Sequence, residues 1–426
     1  MKLWGKVCLS LTITLGVIAF GLNCSLGTSR STYTISAQAA TTINAEEQGM
    51  IGDSITANNS ALQSILEKYH DKELTIYIPS GVYKFKTGNF KLHSNITFKF
   101  EKNAIFRVSS GNLVNFIYPS PKAGYNGGIK NIRWEGATFQ GDNTSSGQSI
   151  FNQSIHHATN VTFNNCYFYN AELPFGHYLD IDGSHNINIT NSTFTGFNGS
   201  EDFKEAIQID YSNPSAMSYR NPGDHYDNLP TYNVRVIQNK FLPIYNNSGK
   251  IVSYAPNPIG EHTVYYNRKL KTIHDIHFTN NTVIDPKPLM KSDYATIRFI
   301  DVSNLWITNN NFVNQRVLNS GNYIYLQSTS PIYKSSNLTV KNNTFKNINP
   351  NKQYIFLNAS NAKSSLAKVT ITGNKITGQK DSVPFVKGNF SFKSKTIRVK
   401  NNKTVLSSKH TKYFSELSHQ NMLFIE

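Results

Sequence analysis

Hydrophobic residues recur along this chain on two scales, at alternate positions within short runs and about every thirty residues between runs. One nine-residue unit carries both. It reads NIRWEGATF from Asn131, NVTFNNCYF from Asn160, NINITNSTF from Asn186, NVRVIQNKF from Asn233, DIHFTNNTV from Asp275 and NLWITNNNF from Asn304. Weaker copies start at Asn337, Lys368 and Thr396. The second position is aliphatic (Val161, Ile187, Val234, Ile276), the fourth is large and apolar (Phe163, Ile189, Val236, Phe278), and mostly polar residues separate them. That alternation predicts a strand with one buried face. The sixth and seventh positions are rich in Asn, such as Asn165, Asn191, Asn280, Asn309 and Asn342. Asn accepts the left-handed backbone of a tight turn, and its amide can bond the same amide one coil away. The ninth position returns Phe168, Phe194, Phe241, Phe312 and Phe345, a second interior stack.

Strand, Asn turn and strand at this period predict an all-β solenoid, a single-stranded right-handed parallel β-helix. A propeller needs four strands per blade and longer repeats. The segment SALQSILEKY, within residues 58–70, predicts a helix that caps the N-terminal end. LTIYIPSGVYKF and NITFKFEKNAIFRV supply the first coils, and the pattern is lost beyond about Ser407.

The first residues read differently. Lys2 and Lys6 precede an apolar run from Val7 to Leu22, and Ala37-Gln38-Ala39 offers a small-x-small cleavage site. Residues 1–39 therefore read as a signal peptide and 40–426 as one secreted β-helix domain, expected as a monomer. No later segment is apolar enough for stable membrane insertion. Cys8 and Cys24 leave with the leader, so the remaining Cys166 is expected as a small buried filler, with neither a disulfide nor a cysteine metal cluster. Removing Lys2, Lys6 and Arg30 lowers the formal charge from +16 to +13. That surplus favours polyanionic partners such as acidic polysaccharides and cell-wall polymers. No nucleic-acid module is present, so nucleic acid is not an expected partner.

Candidate chemistry sits on the strands just before the nine-residue unit. In HYLDIDGS, Leu179 and Ile181 point inward, so Asp180 and Asp182 point outward. In KEAIQIDYS, Ile207 and Ile209 point inward, leaving Gln208 and Asp210 outside. Aligning the coils sets Ser154 beside Asp180 and His156 beside Asp182, so His156, Asp182 and Asp210 form one ladder over three coils, about 4.8 Å apart. One carboxyl in such a crowded cluster stays protonated while its neighbour is ionised, which supplies the acid and base of glycoside hydrolysis. A spacing of about 6.5–7 Å between i and i+2 suits an inverting hydrolase. Two insertions, 211–232 after KEAIQID and 255–272 after KIVSYA, are expected to flank a groove. The first brings Tyr219 and Arg220 for sugar stacking and anion pairing.

With these strands in view, the chain resembles the pectate-lyase-like β-helix superfamily and, more distantly, the polygalacturonase family of glycoside hydrolases. That family carries N-T-D, D-D, G-H-G and R-I-K on successive coils. Here LDIDG holds the first place, so Asp180 or Asp182 matches the acid. KEAIQI holds the second, with Glu205 matching one acid and Lys204 replacing the other. GEH, with His262, holds the third, and IRF, with Arg298, the last, where Ile300 replaces Lys. The resemblance implies Asp180 or Asp182, Glu205 and His262 at the catalytic centre and Arg298 on the substrate. Together with the outward strands, the candidate catalytic residues are Asp180, Asp182, Glu205, Asp210 and His262, and the candidate sugar-binding residues are Lys204, Gln208, Arg298, His177 and His156.

Three functions follow: a hydrolase using the clustered carboxylates, a lyase eliminating across a uronic-acid polymer, or a surface protein that binds glycans without catalysis. No cofactor is required, and a calcium ion on Asp182 and Asp210 is the alternative.

Overall fold

The computed structural model describes residues 40–414, except 71, 142–148, 172–176, 197–204, 287–294, 315–321, 334, 349, 351–352, 360–365, 379–383, 391–396 and 408–409. The expected signal peptide therefore lies outside the described residues. The chain winds through three long sheets, and strands follow chain order within each, parallel from coil to coil. The nine-residue unit turns one corner. Tyr232–Ile237 lies in the first sheet, Gln238 and Asn239 make the bend, and Lys240–Leu242 lies in the second sheet. The third sheet carries the strands that precede each unit. Among the described residues, no helix is long and apolar enough to cross a membrane.

The predicted interior stacks form. Phe194 lies 4.7 Å from Phe168 and 5.1 Å from Phe241, centroid to centroid, with rings nearly parallel. Cys166 is buried and unpaired. Its thiol points to the Trp134 carbonyl at 3.4 Å.

The two turn asparagines divide their work. The sixth position takes the left-handed backbone, with φ of 53° at Asn191, 58° at Asn280 and 57° at Asn309. The seventh builds a buried amide ladder through Asn239, Asn281, Asn310, Asn343, Asn374 and Asn402. Asn310 Nδ2 donates to the carbonyl of Phe278 and to Asn343 Oδ1, both at 2.9 Å. Its own Oδ1 accepts from the backbone and side chain of Asn281 at 2.8 and 3.2 Å. Asn310→Ala strands these buried partners and is expected to cost about 2–3 kcal/mol. Asn309→Gly keeps the backbone geometry and is expected to be nearly neutral. Urea unfolding of both variants checks the contrast.

Two boundaries differ from the sequence reading. The helix runs Asn59–Lys68, but strands Thr41–Asn44 and Asp53–Ala57 precede it and join the first and second sheets. Leu62, Ile65 and Leu66 bury its apolar side, and it packs on Gly88–Lys91, the terminal strand of the third sheet. KIVSYA is not the third-sheet strand of its coil. Ile251–Ser253 pairs antiparallel with Ile244–Tyr245, and Asn257–Gly260 takes the place in the third sheet. Ile259 is fully buried, whereas Val252 is 61 % exposed, so only the later segment can face the core. The second insertion therefore begins after Gly260.

Candidate functional site

The third sheet brings the expected residues into register. Ser154, Asp180, Gln208, Gly260 and Arg298 form one outward row, and His156, Asp182 and Asp210 form the next. Ile155, Ile181 and Ile209 alternate with them into the core.

Outward does not mean exposed. His156, Asp180, Asp182 and Asp210 are wholly buried and Gln208 nearly so. Residues 211–232 fold across the sheet as a roof instead of standing beside a groove. Backbone N–H groups of Ser218 and Tyr211 donate to Asp180 and Asp210. Gln208 Nε2 donates to the Ala216 carbonyl at 3.1 Å, and Ser154 Oγ to that of Tyr219 at 3.1 Å. His156 Nδ1 donates to Asp224 at 3.1 Å, and Tyr226 stacks on the same ring. His157 Nε2 donates to Asp227 at 3.0 Å. Tyr219 receives Asn89 on its hydroxyl, and Arg220 donates to the Pro214 carbonyl, so both serve the roof. Asp227 also accepts from the Gly124 and Leu229 N–H groups at 2.7 and 3.0 Å. Asp227→Ala leaves buried His157 without that acceptor. The expected result is a loss of about 2–3 kcal/mol and faster limited proteolysis within 211–232.

Burial shapes the acids under the roof. It raises the Asp180 carboxyl to about 6 against the opposing Ser218 N–H. It raises Asp210 to about 7, with His262 working the other way. Asp182 is pushed well above the usual range by burial, then by the charges of Asp180 and Asp210.

The row opens at its far end. Glu205 extends over Gly260, whose missing side chain makes room: a Cβ there would stand 2.6 Å from Glu205 Oε1. Glu205 Oε2 lies 2.8 Å from His262 Nε2, and the His262 side chain is 31 % exposed. Burial favours the neutral form of both, but their mutual attraction wins. Glu205 falls to about 2, helped by His177, and His262 rises to about 8. His177 Nδ1 donates to the Glu205 carbonyl at 2.6 Å. Arg298 is paired with Gly260 on the next strand, its guanidinium 5.9 Å from the Tyr325 ring centroid. Glu261 is fully buried, accepts from the Ile300 N–H at 3.1 Å, and is pushed well up by burial and by Asp210. Among the described residues, the metal-ligating side chains that converge are His177, Glu205 and His262. Lys204 lies outside the described residues.

Sequence reasoning did not single out Glu261, His157 or Asp227 for the site. The available signal was the acids three apart, Asp224 and Asp227, facing the adjacent pair His156-His157. Only the fold sets those segments opposite each other.

No protein-family model matches the chain, and no curated protein does. Solved structures do. A crystal structure of PfbA, a surface adhesin of Streptococcus pneumoniae, is 18% identical over 88% of this chain and 94% of that one, with a TM-score of 0.54. A second structure of that adhesin is 17% identical over 85% of this chain and 100% of that one, with a TM-score of 0.50. A Yersinia enterocolitica family 28 exopolygalacturonase is 13% identical over 83% of this chain and 79% of that one, at a TM-score of 0.44. Identities this low speak for architecture alone. The chain has the pectate-lyase-like parallel β-helix fold.

Proposed function

We propose that the protein is an extracellular enzyme that acts on an acidic polysaccharide by proton abstraction at His262. The observation that carries this reading is the 2.8 Å Glu205–His262 pair at the open end of the row, with Arg298 on the adjoining strand. His262 takes the proton next to a uronate carboxylate. The electron pair left behind forms the new double bond as the C–O bond breaks and the departing glycosidic oxygen takes a proton from water. Glu205 orients the imidazole and raises its basicity, while Arg298 pairs with the carboxylate as its charge grows. Hydrolysis by paired carboxyls needs water and a sugar oxygen at both acids, and the roof covers Asp180, Asp182 and Asp210. Geometry therefore favours elimination over hydrolysis, and epimerisation uses the same first step.

The basic charge, the leader-like N-terminus and the shared fold of a surface adhesin support an extracellular or wall-associated site of action. They also support a second reading, a glycan-binding surface protein without catalysis, which the roofed acids favour. Incubation with a panel of uronic-acid and neutral glycans decides, with and without chelator to test calcium on Asp182 and Asp210. Ultraviolet absorbance from an unsaturated product supports elimination. Reducing ends without it restore hydrolysis, and binding without product leaves the adhesin-like reading.

A further inference from the structure

We propose that His177, Glu205 and His262 form a binding site for a divalent transition metal of the zinc class. The three come from successive coils. His177 precedes the strand Leu179–Asp182, Glu205 opens the strand Glu205–Asp210, and His262 follows the strand Asn257–Gly260. One donor atom from each lies within 4.8 Å of the others, and the closest pair is 2.8 Å apart. Two ligands on one tetrahedral ion, each about 2.0–2.1 Å from it, stand roughly 3.3 Å apart. Shifts of about an ångström therefore bring all three into reach.

The donor set selects the ion. Two imidazoles and one carboxylate suit zinc, cobalt or nickel, whereas calcium and magnesium take oxygen ligands. His177 Nδ1–H bonds the Glu205 carbonyl and the same nitrogen lies 3.8 Å from Glu205 Oε2, so an ion takes the lone pair that this tautomer leaves on Nε2. His177 and Glu205 are buried, and His262 supplies the solvent-facing side through which an ion enters. Gly260 leaves the space that the carboxylate fills. A bound ion takes the His262 lone pair in place of its proton, so zinc inhibits the proposed proton abstraction. The metal site itself stands independently of that reading.

The test is zinc calorimetry on chelator-stripped protein without polysaccharide, together with cobalt absorption spectra. The wild type is expected to bind one zinc ion and to give the strong visible bands of four-coordinate cobalt. His262→Gln and His177→Gln are each expected to weaken zinc about 100-fold or more. Gly260→Ala retains all three ligands but pushes on the Glu205 carboxylate, so it replaces His177→Gln if that variant misfolds. Wild-type affinity weaker than about 0.1 mM, or equal affinity in the wild type and His262→Gln, overturns the site. Metal binding by a protein whose metal-free form shows no turnover sinks only the enzymatic reading, and turnover by a protein that binds no metal sinks only this one.

Discussion

Replacing His262 with alanine is expected to lower turnover of the acidic polysaccharide by about 10²–10⁴-fold, the usual worth of a positioned proton acceptor. The solenoid should survive, because His262 lies beyond the strand that ends at Gly260 and is partly exposed. Glu205→Gln is expected to act differently. It keeps the shape of the side chain but removes the charge that holds His262 at about 8. In the wild type the rate climbs with pH through that value as the imidazole loses its proton. In Glu205→Gln the climb moves to lower pH, and the plateau falls because the base is weaker. A purely structural Glu205 lowers the rate without moving the profile. Initial rates across pH, with unfolding curves as controls, separate the two. Full turnover by His262→Ala contradicts the assignment of the base.

Asp182→Asn is expected to flatten the pH dependence of stability above the ordinary carboxylate value, by about 1.4 kcal/mol per pH unit wherever the folded protein keeps the proton that the unfolded chain has lost. In the folded protein, burial and the neighbouring charges of Asp180 and Asp210 keep the Asp182 proton on well above the usual range. The unfolded chain releases it near the ordinary carboxylate value. The folded state thus binds more protons, and stability present in acid is lost as pH rises. Asp180 and Asp210 act in the same direction up to about 6 and about 7. Glu205 and Asp227, both held near 2, act oppositely, and their contribution disappears as pH falls through that value. Maximum stability is therefore expected on the acid side of neutrality. Asparagine carries no proton, so the variant should gain on the wild type as pH rises. Urea unfolding across this range checks the difference, and parallel curves for the two proteins contradict it.

The β-helix was legible because its signal is local and repeated. Val161, Phe163 and Phe168 announce one coil, and the same columns recur through Val399. The pairing of His156 with Asp182 and of Ser154 with Asp180 was legible for the same reason, since counting back from Asn160 and Asn186 sets the register of the preceding strands. Local pattern failed where the repeat was interrupted. Ile251–Ser253 looks like a strand and is one, but it pairs within its own hairpin. The NPIG segment enters the third sheet because Ile259 reaches the core.

By itself the sequence determined the solenoid, its interior columns and which side chains face away from the core, because alternation and period are properties of the chain read in order. Only the tertiary structure decided what covers those side chains. Residues 211–232 close over the acids, and the chain after Gly260 carries His262 to Glu205, fifty-seven positions back. Such contacts depend on the path of irregular loops, where no periodicity links a residue to its neighbour in space, and they separate a buried carboxyl from a working one.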